Sequence, residues 1–415
     1  MKVLKFGGKS IATIERLKFV TDIVANSGKC IVVVPAIPDI TTMLQDISDY
    51  LYKKNLEGAN EVINKLHREL GVILNNLFST EKSIVEATDI INTEIEYIRT
   101  FTKNLFTLFE EKIVIAQGEI ISSKLFYLFA QESGLNCVEL SALDFMLIDK
   151  NYEPDTAFIK EKLTTLLESK KSDVYITQGY ICRNAYGEID DLHKGGNDYT
   201  ATLIGAVIEA KEIQIWTDVE ELKNIDSSIV DKAKTISDLS FDEAAELAYF
   251  GDKILHPTSI LPAKMANIPV RILSILFPQS GGTLISDNAE KMKIKAVAAK
   301  DGITSVTIKS GKMLLAHGFL RKIFEVFEQY QTSIDMLTSS EVGISLTIDD
   351  ARNLEGIVND LKRYGTVSVN TNMTIISIIG DMAWQGTTTK SQVLDAIKDL
   401  TLCMISYGGS DYNFS

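Results

Sequence analysis

Lys5, Gly7, Gly8 and Ser10 cluster at the start of the chain in Lys2-Val3-Leu4-Lys5-Phe6-Gly7-Gly8-Lys9-Ser10. Two glycines let a backbone approach a guest closely, and free amides at a following helix start point at an anion. An ammonium at Lys5 reaches the same guest. Gly8-Lys9-Ser10 imitates the end of a P-loop, but that motif needs a glycine five residues earlier, where Val3 stands. Other segments carry side chains suited to chemistry: Thr41-Thr42, Gly118-Glu119, Lys194-Gly195-Gly196-Asn197-Asp198, Trp216-Thr217-Asp218 and Gly251-Asp252-Lys253. Taken singly, each reads as a turn, a cap or a solvated charge; Thr217-Asp218 suits an N-cap and Lys253 an exposed helix end. Their order along the chain gives them weight.

The elements that must position these residues alternate. Val3 and Leu4 lie in a short buried strand, and Ile11 to Ala25 reads as a helix with Ile14, Leu17, Val20 and Val24 on one face. Lys29 to Pro35 is a continuous apolar run of the kind found in buried parallel strands. A polar loop through Asp39, Thr41 and Thr42 precedes a helical region from 43 to about 110. Ile113 to Ala116 reads as a strand before a helix from Ile120 to Ser133. Further strands are expected at Val138–Leu140, Val174–Gln178 and Ile213–Trp216, with helices at Tyr199–Lys211 and Phe241–Phe250. This alternation implies an α/β fold with a mainly parallel sheet sandwiched by helices. Ligands then sit beyond the carboxyl ends of the strands, where Lys5, Glu119 and Asp218 are expected, with Asp198 at a helix start.

From Ile303 the texture changes to βαββαβ: strands at Ser305–Ile308, Ser333–Leu337, Gly343–Ile348 and Val367–Val369, and helices at Phe319–Tyr330 and Leu354–Tyr364. A second copy starts at Met373, with a helix at Ser391–Leu400 and a strand at Cys403–Ser406. It stops at Ser415, before its last helix and strand, so it is either cut short or borrows a strand from Ile294 to Ala298. Domains are therefore expected at 1–284 and 285–415, with modules at 303–370 and 373–415, the second incomplete.

At 415 residues, 45% hydrophobic and 24% charged, the chain has the composition of a soluble globular protein of two or three domains. A net charge of −14 argues against nucleic acid as a partner. No apolar run approaches the roughly 18 residues of a membrane span. Cys30, Cys137, Cys182 and Cys403 lie far apart without metal-ligand spacing, and no signal peptide precedes the first strand; a reduced, cytoplasmic setting follows.

The closest matching stretches are Lys5-Phe6-Gly7-Gly8, Gly196 to Thr200, Ala244 to Pro257 and Met404-Ile405-Ser406-Tyr407-Gly408-Gly409. Together they make the chain resemble, from Met1 to its end, the monofunctional aspartokinases of the amino-acid kinase family, which carry two C-terminal ACT modules of ferredoxin-like α+β type. The resemblance implies transfer of the γ-phosphoryl of MgATP to the side-chain carboxylate of L-aspartate. An aspartate carboxylate is already ionised, so no general base is needed, and catalysis rests on positioning and charge neutralisation.

By this resemblance Lys5 meets the transferring phosphoryl group and Asp198 orients Lys5 or the substrate amine. Glu119 holds the substrate ammonium, with Thr41 nearby and Lys194 on the substrate carboxylate. Gly7, Gly8 and Ser10 line the phosphate turn, while Thr217, Asp218 and Lys253 serve the nucleotide; no residue is assigned to a metal. Met313, Gly318, Phe319, Ser333, Asp335, Ser340 and Glu341 resemble the stretches that bind L-lysine as a feedback effector. Pairing of ACT modules implies a homodimer or higher homo-oligomer.

Departures from the family pattern fall in binding loops. Lys9 stands in place of Thr, Pro35, Pro38 and Asp39 in place of small residues, and His193-Lys194 in place of Gly-Arg, losing a bidentate fork. Asn197 replaces Ser, Glu221 a Gly, Lys223 an aromatic, Ser227-Ser228 a Pro-Arg, and Asp252 an Ala. Leu315 and His317 replace a His and an Arg in the effector loop. Two other readings follow: a paralogue that keeps the fold as an amino-acid-sensing binding protein, and a kinase for another amino-acid carboxylate.

Overall fold

Val3, Leu4 and Phe6 are at most 1% exposed because β1 (Lys2–Phe6) runs through the middle of a sheet. The computed structural model describes the whole chain except 104, 194, 219–221, 227–228, 252–254, 291–293, 314–316 and 382–386, with the backbone alone at 312 and 387–390. The chain divides into two compact units: Met1–Leu222 with Ser237–Phe241 and Ile254–Ala289, and Lys223–Ile236 with Asp242–Lys253 and Glu290–Ser415.

In the first unit β1 is followed by α1 (Ile14–Asn26), β2 (Cys30–Val34), α2 (Pro38–Tyr52), α3 (Leu56–Leu77), α4 (Glu81–Thr100), α5 (Leu108–Glu132), β3 (Cys137–Leu140) and α6 (Thr156–Ser169). Then come β4 (Val174–Gln178), the hairpin β5 (Ile181–Arg183) and β6 (Ile189–Asp191), α7 (Gly196–Val207) and β7 (Ile213–Thr217). β8 (Asp238–Leu239), α9 (Leu261–Met265), β9 (Val270–Ser274) and β10 (Thr283–Ile285) follow, while α8 (Phe241–Phe250), between β8 and α9 in the chain, belongs from Asp242 onward to the second unit. Among the described residues an eight-stranded sheet forms in the order β3-β4-β2-β1-β7-β9-β10-β8. It is parallel from β3 to β9, and β10 runs antiparallel to β9. Every residue of β2 is buried, as its unbroken apolar run requires, and each such side chain contributes on the order of 1.5–3 kcal/mol.

Three local expectations are corrected. Ile113 to Ala116 is not a strand but part of α5, which runs unbroken past Gly118 and Glu119. A capping box starts this helix: Thr107 Oγ1 accepts from Phe109 N–H at 3.3 Å, and Glu110 Oε2 accepts from Thr107 N–H at 2.9 Å. The helix is apolar nearly all round because it is buried nearly all round, so it carries no readable period. By length and composition α5 could cross a membrane, yet 78% of its most apolar stretch is buried inside the protein. Next, Asp39, Thr41 and Thr42 lie not in a loop but in the first turns of α2, which Pro38 opens with its preset backbone angle. Finally, α1 begins at Ile14, because Thr13 caps it by accepting from Arg16 N–H at 3.3 Å; Gly8–Ile11 forms a separate short helical turn.

The second unit is built on β11 (Ile294–Lys309), α10 (Phe319–Gln329), β12 (Met336–Ser339), β13 (Gly343–Ile348), α11 (Leu354–Leu361) and β14 (Thr366–Gly380), followed by α12 (Thr387–Ile397) and β15 (Asn413–Phe414). Its antiparallel sheet has the order β12-β13-β11-β14-β15. Val306, Ile308, Leu346 and Ile348 from the sheet pack with Ile323, Phe327, Ile357 and Leu361 from α10 and α11. Ile294 to Lys300 pairs with Ile375 to Gly380, so the segment before the first repeat supplies a strand to the second. Cys403 to Ser406 forms no strand: the outer edge of β14 is taken by β15, with Tyr407 bridging to Phe414 and Ser406 exchanging backbone hydrogen bonds with Ser415 at 2.7 and 3.1 Å. Strand β12 starts at Met336, later than expected; Ser333 precedes it, and Asp335 N–H is already bonded to Thr347 O at 2.8 Å.

Candidate active site

Four adjacent parallel strands, β4, β2, β1 and β7, end on one edge of the sheet and present Gly179-Tyr180, Pro35-Ala36, Lys5 to Gly7 and Thr217-Asp218 there. The turn after β1 is tied to β7 by Gly7 N–H donating to Trp216 O at 3.0 Å. Lys5 Nζ lies 2.6 Å from Asp198 Oδ1, with the side chains 13% and 14% exposed. Asp198 reaches Lys5 from the first turn of α7, where the helix N-terminus favours a carboxylate. Gly195 and Gly196 open that helix with φ of 59° and 57°, a left-handed pair that glycine adopts without strain. At Gly195 a Cβ would also stand 2.9 Å from Ser259 Cβ.

Glu119, inside α5, is buried, and burial pushes its carboxyl up to about 8 against the opposing pull of Ala36 N–H, Asn197 and Lys5. Asn197 Nδ2 donates to Glu119 Oε1 at 3.5 Å, while Glu119 Oε2 and Asn197 Oδ1 are buried without a hydrogen-bond partner. A ligand ammonium arriving beside this pair would satisfy a buried acceptor. Gly179 makes the pair possible, since a Cβ there would fall 2.0 Å from Asn197 Oδ1. Thr41 lies against the same turn of α5, its Oγ1 3.7 Å from the position of a Cβ on Gly118.

At the glycine turn, Ser10 is fully buried and its Oγ has no hydrogen-bond partner. A Cβ on Gly8 would press on Ala36 O and Pro38 Cγ, both at 3.3 Å. Lys9, 72% exposed, reaches Asp218 Oδ2 at 3.6 Å, so the cation that departs from the family pattern offsets an acid at the end of β7 beside Thr217. The structure thus brings together Lys5, Asp198, Glu119 and Thr41, and places Gly7, Gly8, Ser10, Thr217 and Asp218 on the same strand-end edge. Lys194 and Lys253 lie outside the described residues, as do Glu221, Ser227, Ser228, Asp252 and Leu315.

A cavity of about 640 Å³, which the sequence reading missed, opens on neighbouring turns of α2 and α5. Gln45, four residues after Thr41 on α2, and Ile115 and Ala116, one turn before Glu119 on α5, line it on the same helix faces. Its polar wall is a network: Lys112 pairs with Asp190, and His193 lies between Asp190 Oδ1 at 3.3 Å and Asp191 Oδ1 at 2.8 Å. Tyr152, Tyr180 and His193, all on this wall, have φ of 61°, 66° and 53°, a strained conformation for non-glycine residues. The available signal was Asp190-Asp191 just ahead of His193-Lys194, and Lys112 two helical turns before Glu119.

In the second unit Gly318 (φ 77°) caps α10, and Phe319 packs edge-on against Tyr364. Met313 packs against the sheet core, while Ser333 and Glu341 are exposed and Ser340 Oγ donates to Gly343 O at 3.3 Å. Asp335 is not a solvated strand-end charge: its side chain is 1% exposed and accepts from Lys300 Nζ at 3.0 Å.

Residues 1–274 match the amino acid kinase family. The chain is 29% identical over 435 residues to lysine-sensitive aspartokinase 3 of Escherichia coli K12, covering 99% of this chain and 94% of that one. It is 29% identical over 444 aligned residues to chloroplastic aspartokinase 1 of Arabidopsis thaliana, covering 100% and 76%. E. coli aspartokinase III in complex with aspartate and ADP has a TM-score of 0.81 at 28% identity, covering 100% of this chain and 95% of that one. The same enzyme with lysine and aspartate scores 0.82 at 27% identity, with the same coverage. With that match over most of its length, and the strand-end site its sequence motifs build, the chain belongs to the amino acid kinase family.

Proposed function

We propose that the chain is an aspartokinase: a side-chain carboxylate oxygen of L-aspartate attacks the γ-phosphorus of ATP, the bond to the β-phosphate oxygen breaks, and 4-phospho-L-aspartate and ADP leave. The observation that carries this reading is the Lys5–Asp198 pair beside the buried, half-satisfied Glu119–Asn197 pair, a cation for the phosphoryl group next to acceptors for an ammonium. Lys5 neutralises charge on the transferring group, and Asp198 fixes its direction. Glu119 takes the aspartate ammonium with Thr41 beside it, and Lys194 the α-carboxylate. The glycine turn with Ser10, and Thr217, Asp218 and Lys253, hold the nucleotide, whose Mg²⁺ enters as part of the substrate.

The aspartate and ADP bound to E. coli aspartokinase III support both substrates, and its lysine complex supports L-lysine as a feedback effector acting through the ACT region at 285–415, with 1–284 as the catalytic domain. In this reading the enzyme is cytoplasmic, pairs through its ACT modules, and opens lysine, threonine and methionine biosynthesis. Coupled assay of ADP release tests it. Release should depend on L-aspartate; aspartate-independent release, or none with any amino-acid carboxylate, would overturn the assignment.

A further inference from the structure

Helix α8 belongs to the second unit, although the chain enters it from the first at Phe241 and returns to the first after Lys253. Three contacts hold it there. Glu246 Oε2 accepts from Asn413 Nδ2 at 3.1 Å. Gly251, just past the helix, lies so close to β11 that a Cβ would stand 2.5 Å from Ala298 Cβ. Tyr249 donates its hydroxyl to Asp335 Oδ1 at 2.9 Å, with Lys300 Nζ 4.9 Å from the ring centre. Burial, then the Asp335 acceptor, pushes the Tyr249 hydroxyl well above the usual tyrosine range, so it stays a donor.

Asp335 is the node of this arrangement. Its Oδ1 receives both Tyr249 and Lys300, and Lys300 also reaches Asp349 Oδ2 at 2.8 Å. Its Oδ2 is buried with no hydrogen-bond partner. A buried carboxylate oxygen left unpaired is unfavourable, and an incoming ammonium would relieve it. A ligand ammonium on Oδ2 draws negative charge away from Oδ1 and so weakens the bond that the Tyr249 hydroxyl makes there.

We propose that Tyr249 transmits effector binding: a cationic amino acid that engages Asp335 loosens its bond to Tyr249, and α8, joined to the catalytic unit at both ends and ending three residues ahead of Lys253, carries the change to the nucleotide site. The inference rests on the proposed lysine response. It makes Tyr249 a positioning residue whose loss separates binding from inhibition, because an effector inhibits only through a difference between two states of the protein.

Lysine titrations of the unmodified chain and Tyr249→Phe, by calorimetry and by the kinase assay, test it. Tyr249→Phe, which lacks this bond from the start, should bind L-lysine at least as tightly as the unmodified chain, show lowered activity without lysine, and lose little further activity when lysine is added; undiminished activity without lysine would overturn the role. In the unmodified chain, lysine should also change hydrogen-exchange protection of residues 242–250, a reading that needs no variant. Equal inhibition of both proteins, joint loss of binding and inhibition in Tyr249→Phe, or unchanged protection of 242–250 would overturn the transmission role alone. No heat and no inhibition in the unmodified chain would overturn the lysine response, and the role of Tyr249 with it.

Discussion

Glu119→Gln keeps the shape of the buried side chain and its acceptor for Asn197 but removes the proton equilibrium. In the folded chain burial pushes Glu119 up to about 8 from the ordinary 4.5. The unfolded chain ionises this group near 4.5, and the folded chain near 8. As pH rises between those values, the folded state of the unmodified protein therefore loses stability that the glutamine variant does not lose. At roughly 1.4 kcal/mol per pH unit, the interval sets a ceiling of about 5 kcal/mol on the difference. Urea titrations of both proteins from pH 5 to 9 should show the variant gaining on the parent by about 2–3 kcal/mol, with a plateau above pH 8. The gain comes with a loss, since a charge-assisted hydrogen bond to the substrate ammonium disappears, and the Michaelis constant for aspartate should rise about 30-fold. Parallel stability curves would refute the buried-carboxylate argument, and an unchanged constant would refute the ammonium role.

The same group predicts that aspartate binding at pH 7 releases close to one proton, since the ligand ammonium favours the ionised carboxylate; calorimetry in buffers of different ionisation enthalpy checks this. Gly179→Ala should raise the aspartate Michaelis constant at least ten-fold with a smaller effect on ATP, because its methyl displaces the Asn197 amide that it would otherwise meet at 2.0 Å. Lys194→Arg should lower that constant several-fold by restoring a bidentate grip on the α-carboxylate, as steady-state kinetics will read. Lys5→Ala should lower turnover about 10²–10³-fold, more than it raises either Michaelis constant.

The glycine turn and its flanking strands were legible because a short apolar strand, two glycines and a periodic helix leave local signatures. β2 declared itself by the unbroken Cys30-Ile31-Val32-Val33-Val34 run. Glu119 was found as a residue but misplaced, since a helix buried on nearly every side has no apolar face from which to read a period. Thr41 was assigned to a loop because Pro38-Asp39 reads equally as a turn or as a helix start. Contacts between distant residues left no trace in the sequence: Lys112 meets Asp190 across 78 positions, and Gly179 is needed only because Asn197 arrives beside it. Lys9 is legible only as a departure from the family's Thr, and its partner Asp218 is far off in the sequence. Asp335 is legible in the sequence as an effector-binding acid, but its partners Lys300 and Tyr249 are not, because they lie 35 and 86 positions away.

The central claim is that phosphoryl transfer ends on the side-chain carboxylate of aspartate with Lys5 as the neutralising cation. Trapping the product with hydroxylamine tests both parts, because an acyl phosphate gives a hydroxamate at the carboxyl group that was phosphorylated. With ATP and L-aspartate the unmodified chain should yield the β-hydroxamate, and Lys5→Ala at least about a hundred-fold less in the same time. The α-hydroxamate, no hydroxamate despite ATP turnover, or equal yields from the two proteins would contradict the account.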